Sequence, residues 1–182
     1  MRQSFNVEFL SPLSRMWMEH YVTLTRTGNI PRRSTFDPTA VPNLLSEMGI
    51  QDLSESGVSR FRLVGTSIVR RYGHDPTGRD YLDYVAPERR DTALKGLLTL
   101  ARHPCGMRAL GINQYDKMKS QIIEIVGFPF LRDDCAGHQV IYTAVEIDKT
   151  TFNIDDRGEA TGLDVLEHRF LDIGFGIPNK LS

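Results

Sequence analysis

The chain has 182 residues, a formal net charge of −1, 40% hydrophobic and 25% charged residues, the balance of a folded globular protein with one substantial core. That charge excludes a general attraction to nucleic acid or to acidic membrane surfaces. No stretch approaches the roughly 20 apolar residues that cross a bilayer, and the opening MRQSFNVEFLSPLSRMW lacks a signal-like apolar run, so a cytoplasmic location without membrane contact is expected.

Ser11-Pro12 offers a hydroxyl cap followed by proline at the first helical position. Leu13, Met16, Trp17, Tyr21 and Leu24 then recur at helical spacing, and Gly28 is placed to end the helix. This stripe needs a partner surface, and it holds the only tryptophan. An Asp-Pro turn after Phe36 leads into a short helix carrying Val41, Leu44, Leu45 and Met48. Residues 49–54 read as a first strand, SESG as a turn and residues 58–65 as a second strand, with Phe61 and Leu63 alternating against Arg60 and Arg62. Thr66 is placed to cap the helix SIVRRY, which Gly73 ends.

A corner follows. In DPTG, Asp75, Pro76 and Gly78 suit the first, second and fourth places of a type I turn. YLDYV is a further helical turn. Pro87 opens a longer helix with Ala93, Leu94, Leu97, Leu98 and Ala101 on one face, stopped by His103-Pro104. Residues 105–115, 120–131 and 138–147 read as strands joined by the short links YDKMK and RDDCAG, which makes them antiparallel neighbours.

Both faces of the middle strand are apolar, Ile122, Val126, Phe128 and Phe130 against Ile123, Ile125 and Leu131, so each face needs cover. The N-terminal helix or a second subunit is the candidate for one of them. Pro129 cannot donate to a ladder, so pairing should falter there. Beyond a polar stretch, Leu163, Leu166, Phe170 and Ile173 stand at helical spacing, in a segment read as a docked appendage.

Several sharper readings weigh less than a structural one. Asn153, Asp155, Gly158 and Asp164 track a calcium loop, but Arg157 takes a ligand place and Asp164 replaces the long bidentate glutamate. Asp133, Asp134, Cys135 and His138 could gather a metal, but C-x-x-H alone is half a site and a polar hairpin turn explains the same residues. Cys105 and Cys135 form no C-x-x-C pair and read as reduced thiols. The pairs Arg32-Arg33, Arg70-Arg71 and Arg89-Arg90 sit among acidic residues without a recognition-helix pattern, and read as solvated faces rather than a nucleic-acid surface. Nucleotide-loop, nucleophile-elbow and zinc-protease motifs are missing. Arg79, beside the turn, carries five N–H donors able to close the corner. Gly73, Pro76, Gly78 and Arg79 therefore read as a shaped structural corner rather than a reactive loop.

The order of elements, together with RFRLVGT and GHDPTGRDYLD, resembles the PAS domain superfamily. It is similar in particular to short stand-alone bacterial PAS proteins, on Arg62, Leu63, Gly65, Thr66, Gly73, Thr77, Gly78, Arg79 and Asp83. Ile30, Pro31, Arg32, Asp37, Pro38, Gly127, Phe128 and Pro129 also match. The resemblance implies an α+β fold with a five-stranded antiparallel sheet, and helices on one face enclosing a pocket. It also implies a sensory, non-enzymatic role in which the chain binds a small ligand, a signalling protein partner, or both. Homodimers in this family often form through a preceding helix.

The organisation expected is an N-terminal helix over 1–28, a PAS-like domain over 29–148 and a C-terminal extension over 149–182. Phe61, Leu63, Ile68, Tyr72, Leu82, Leu97, Phe128 and Tyr142 are the expected pocket walls. No cofactor is identified by the sequence. Some relatives hold haem or flavin, but His74 and His103 read as ordinary surface histidines, and neither cysteine follows the second strand as a flavin photosensor requires. Two alternatives stand beside this reading. One is an enzyme on a cavity-forming α+β fold, with His74 and Asp80 or Asp83 as its dyad. The other is a ligand-free interaction subunit.

Overall fold

The computed structural model describes residues 7–24, 30–53, 57–115, 119–134, 137–147 and 160–178. Gly28, Cys135 and most of the calcium-like stretch lie outside the described residues. Helix α1 spans Pro12–Leu24, and the Ser11 hydroxyl accepts from the backbone of Leu13 at its start. Three 3-10 turns follow, Arg33–Thr35, Pro38–Ala40 and Pro42–Glu47, in place of the single short helix expected around Leu44. Each of the last two starts at a proline, which presets φ and has no N–H to orphan.

Strands β1 (Met48–Leu53) and β2 (Ser59–Val64) pair antiparallel, and helix α2 runs Thr66–Tyr72. Gly65, not Thr66, occupies the N-cap of α2, and no side chain caps it. The reason is packing: a Cβ at Gly65 would collide with the backbone carbonyls of Leu45 and Ser46, so the chain must bend into the helix at that residue. Gly73 ends α2 in the left-handed region with φ of 78°. Turns Tyr81–Tyr84 and Pro87–Arg89 lead into α3 (Arg90–Arg102). Strands β3 (Gly106–Tyr115), β4 (Lys119–Leu131), β5 (His138–Glu146) and β6 (Ala160–Leu171) complete one antiparallel sheet in the order β2-β1-β5-β4-β3-β6.

The antiparallel α+β order is the one expected, with a sixth strand added. The closing segment is extended rather than helical, because the free edge of β3 offers it a ladder from Gly106↔Leu171 to Tyr115↔Ala160. The apparent helical spacing arises from a bulge: Leu110 faces Glu167 while Gly111 faces Val165, leaving Leu166 unpaired and 58% exposed.

Strand parity sends the two apolar sets of β4 to opposite faces. Val126, Phe128 and Phe130 lie under α1, whose Trp17 and Tyr21 are fully buried against them and Phe36. The Tyr21 ring stacks on Phe128 with centroids 4.2 Å apart. The partner surface of the α1 stripe is thus the chain's own sheet. The start of α1 is held by Glu124 of β4, which is 0% exposed. Its carboxylate accepts from the backbone N–H of Leu10 and Ser11, at 3.0 and 2.8 Å, and from buried Arg108 at 2.8 Å.

Pairing does not falter at Pro129 on the β5 side, where it faces Val140. The missing N–H points toward β3, whose ladder with β4 ends at Gly127. The Pro129 carbonyl on that side accepts from the Tyr21 hydroxyl at 3.0 Å. Across the sheet, Phe61, Ile68, Leu97, Leu100, Val140 and Tyr142 form a second cluster beneath α2 and α3.

Candidate functional site

The GHDPTGRD corner is stitched to β2. Phe61 N–H donates to the Arg79 carbonyl at 3.0 Å, and Gly78 N–H donates to the Phe61 carbonyl at 2.7 Å. The turn itself closes between the Pro76 carbonyl and Arg79 N–H at 3.0 Å, with Gly78 at the third place and φ of 87°. It is therefore shifted by one residue from the expected type I turn and has the positive φ of type II. The cause is the pair of bonds to Phe61, which draws Gly78 and Arg79 onto the strand.

Asp80 Oδ1 accepts from Ser59 and Leu82 N–H groups, at 3.2 and 3.1 Å. His74 Nε2 lies 2.8 Å from the Tyr84 hydroxyl rather than on either aspartate, and Asp83 is exposed. Burial pushes the Tyr84 phenol up, while the Arg79 guanidinium bonded to it pulls the other way. His103 Nε2 lies 3.2 Å from the Gly176 carbonyl. Asp133 accepts from Ser34 N–H, and Asp134 pairs with Arg132 at 2.6 Å.

Between the sheet and the helices lie two adjoining spaces. The inner one, about 60 Å³, is walled by Gln51, Phe61, Ile68, Arg71, Tyr72, Tyr81, Leu97, Asn113, Tyr142 and Ala144, among others. The outer one, about 380 Å³, runs between α3 (Thr92, Ala93, Gly96, Leu97) and the sheet (Met107, Ala109, Ile125, Leu163, Val165, His168), with Val85 and Arg89 at its side. Tyr81, Leu97, Met107, Ile125 and Leu163 are walls of both.

Of the expected walls, Phe61, Ile68, Tyr72, Leu97 and Tyr142 line the inner space, while Leu63, Leu82 and Phe128 do not. A bulge at Arg62 explains Leu63: Phe61 faces Gln51 but Leu63 faces Ile50, so Leu63 turns to the other side of the sheet, 49% exposed. Phe128 follows strand parity to α1. At Leu82 the 3-10 turn presents its neighbour Tyr81 instead, since successive side chains there diverge by about 120°.

Arg71 was expected on a solvated face, yet it is 5% exposed. It pairs with Glu47 at 2.8 Å and donates to the Ala144 carbonyl, and this partnership of distant segments carries no local sequence signal. Gly96 did carry one, because a glycine inside a helix costs about 0.5–1 kcal/mol relative to alanine and calls for a reason. Here the surroundings of a Cβ at Gly96 are open within 4 Å.

A family model described as a PAS domain matches residues 10–140. The chain belongs to the PAS domain family. PAS domains are sensory and signalling modules, typically non-catalytic. Three of the solved structures to which the chain is similar follow. One is a light-oxygen-voltage domain studied with a flavin analogue, at 11% identity and TM-score 0.45, covering 61% of this chain and 84% of that one. Another is the PAS domain of an HTR-like protein from Haloarcula marismortui, at 15% identity and TM-score 0.40, covering 60% and 96%. The third is an RNA-binding light-oxygen-voltage receptor, at 14% identity and TM-score 0.44, where 65% of this chain matches only 36% of that one. No curated protein matches the sequence. Among the described residues, no helix of this PAS protein is long and apolar enough to cross a membrane.

Proposed function

We propose that this PAS protein is a sensor that takes a small, largely apolar molecule into the groove between α3 and strands β3 and β6, and reports its presence to a protein partner. One observation carries the reading: an open apolar groove of about 380 Å³ faces Gly96, a helix-interior glycine for which no close packing contact accounts. A well-packed core would close such a space, since interiors reach crystal-like density.

The sheet supplies a route out. Ile125 walls the groove, and its neighbour Glu124 holds the start of α1 on the opposite face. Met107 and Ala109 wall the groove on β3, and Arg108 between them pairs with Glu124. A guest that displaces these walls acts directly on the ion pair that seats α1. The outer side of α1 and its lead-in expose Leu10 (50%) and Met16 (38%), a surface suited to a partner or a second copy. The structural corner at Gly73, Pro76, Gly78 and Arg79 positions Phe61 and Tyr81 as walls.

The test uses butylbenzene as a bare apolar probe and follows backbone amide shifts. Shifts at Gly96, Met107, Ile125 and Leu163, abolished by Gly96→Leu, support the reading. Shifts scattered elsewhere, or unchanged in Gly96→Leu, overturn it.

A further inference from the structure

The inner space behind the groove is walled by several tyrosines. Tyr72, Tyr81 and Tyr142 all wall it. Phe61 sets two of them in place, its ring edge-on to Tyr72 and Tyr81 at 6.2 and 6.0 Å. Tyr142 is fixed by the sheet, its ring lying across Gly49, where any Cβ would strike it. Tyr72 and Tyr142 both lie within electrostatic reach of Tyr81 and of the Arg71 guanidinium. Buried Tyr21, by contrast, spends its hydroxyl on the Pro129 carbonyl, and Tyr115 spends its own on Gln121 at 3.0 Å. None of the hydroxyls of Tyr72, Tyr81 and Tyr142 has a hydrogen-bond partner among the described residues.

Hydroxyl donors without a protein partner, on three residues that wall one space, point to an acceptor that occupies it. We propose that the molecule bound in the groove carries an acceptor oxygen, a carbonyl or carboxylate, seated in the inner space by the hydroxyls of Tyr72, Tyr81 and Tyr142. This inference rests on the groove being the ligand site and adds the chemistry of the ligand's head.

Three features select an acceptor. Burial raises all three phenols, Tyr81 to about 12, so each keeps its proton near neutrality and has a hydrogen to donate. The nearby Ala144 carbonyl is taken by Arg71. A cationic head would meet the Arg71 guanidinium, which is 5% exposed and walls the same space. The size also fits. A water needs roughly 10–15 Å³ of such space, so about 60 Å³ takes an oxygen with its first carbons while the apolar body lies in the groove.

The experiment titrates the full chain with butylbenzene, 4-phenyl-2-butanone and 4-phenylbutanoate by calorimetry, in wild type and in Tyr72→Phe, Tyr81→Phe and Tyr142→Phe. The expected result is that the ketone, the carboxylate or both bind at least 10-fold more tightly than butylbenzene. Each Phe variant should narrow that preference by about 2- to 10-fold, one hydrogen bond's share. These variants remove hydroxyls that bond no described protein group, so their unfolding midpoints should match wild type, which keeps the comparison interpretable.

Whether ketone or carboxylate wins distinguishes a neutral from an anionic head; either outcome supports the proposal. Equal affinity for all three probes, or a preference that survives every Phe variant, overturns it and leaves water as the occupant of the inner space. The groove reading would still stand in that case. Absence of binding by all three overturns both.

Discussion

Glu124 receives the backbone N–H of Ser11 at 2.8 Å although 113 residues separate them in the chain. That contact joins the first turn of α1 to the centre of the sheet. Glu124 is also the buried partner of Arg108, which reaches Glu167 on β6 at 3.4 Å. Three segments thus share one carboxylate. Removing it leaves two backbone donors bare and a buried guanidinium with only the more distant Glu167, so Glu124→Ala should cost about 3–5 kcal/mol. Trp17, the sole tryptophan and 0% exposed, reports the outcome. Its emission should move to the red as α1 leaves the sheet in urea titrations. A variant with wild-type stability and unshifted emission would show that α1 is held by its aromatic face alone.

Gly65 is required by space rather than by backbone angle. Its Cα faces the carbonyls of Leu45 and Ser46, which are backbone atoms and cannot swing aside. Gly65→Ala should therefore destabilise by about 1–3 kcal/mol, the range for overpacking. Gly96→Ala should do the reverse, stabilising by about 0.5–1 kcal/mol, because the helix gains and the groove has room. Chemical denaturation of the two variants side by side checks both signs.

Acid should weaken the α1 face through His20. Burial holds its pKa below the ordinary 6.5, against an opposing pull from Asp37. The fold therefore favours the neutral ring, whereas the unfolded chain takes up its proton at the ordinary pKa. Stability from this group is present above pH 6.5 and is lost as pH falls through the depressed value. Between pH 7.5 and 5, wild type should lose more unfolding free energy than His20→Gln; an equal or smaller loss in wild type would refute the assignment.

Cys105 should be chemically silent in the folded protein. It is 0% exposed, and burial pushes its thiol up to about 12, so almost no thiolate is present near pH 8. In a Cys135→Ser background, an aromatic disulfide reagent should label Cys105 only as the protein unfolds. Labelling at the rate of a free thiol in native buffer would place that strand end in solvent.

Much of this fold was legible locally. Strands β3, β4 and β5 read off within a residue or two, because alternation of Val, Ile and Phe and short polar links are local signals. Gly73 announced the end of α2 for the same reason, as did Pro12 the start of α1. The site was legible only in part. Phe61, Tyr72 and Tyr142 followed from alternation and helical spacing, while the bulge at Arg62 turned Leu63 away and strand parity placed Phe128 under α1.

What the sequence by itself determined was the set of elements and the need to cover both faces of β4, since propensity, turn chemistry and periodicity act over a few residues. What only the tertiary structure decided was which surface meets which. The closing segment became a strand because β3 had an open edge, and α1 lay on its own sheet because Glu124 and Phe128 waited there. Arg71 entered the interior because Glu47 and the Ala144 carbonyl came with it. Such pairings are free energies between distant segments, and they exist only once the chain has folded.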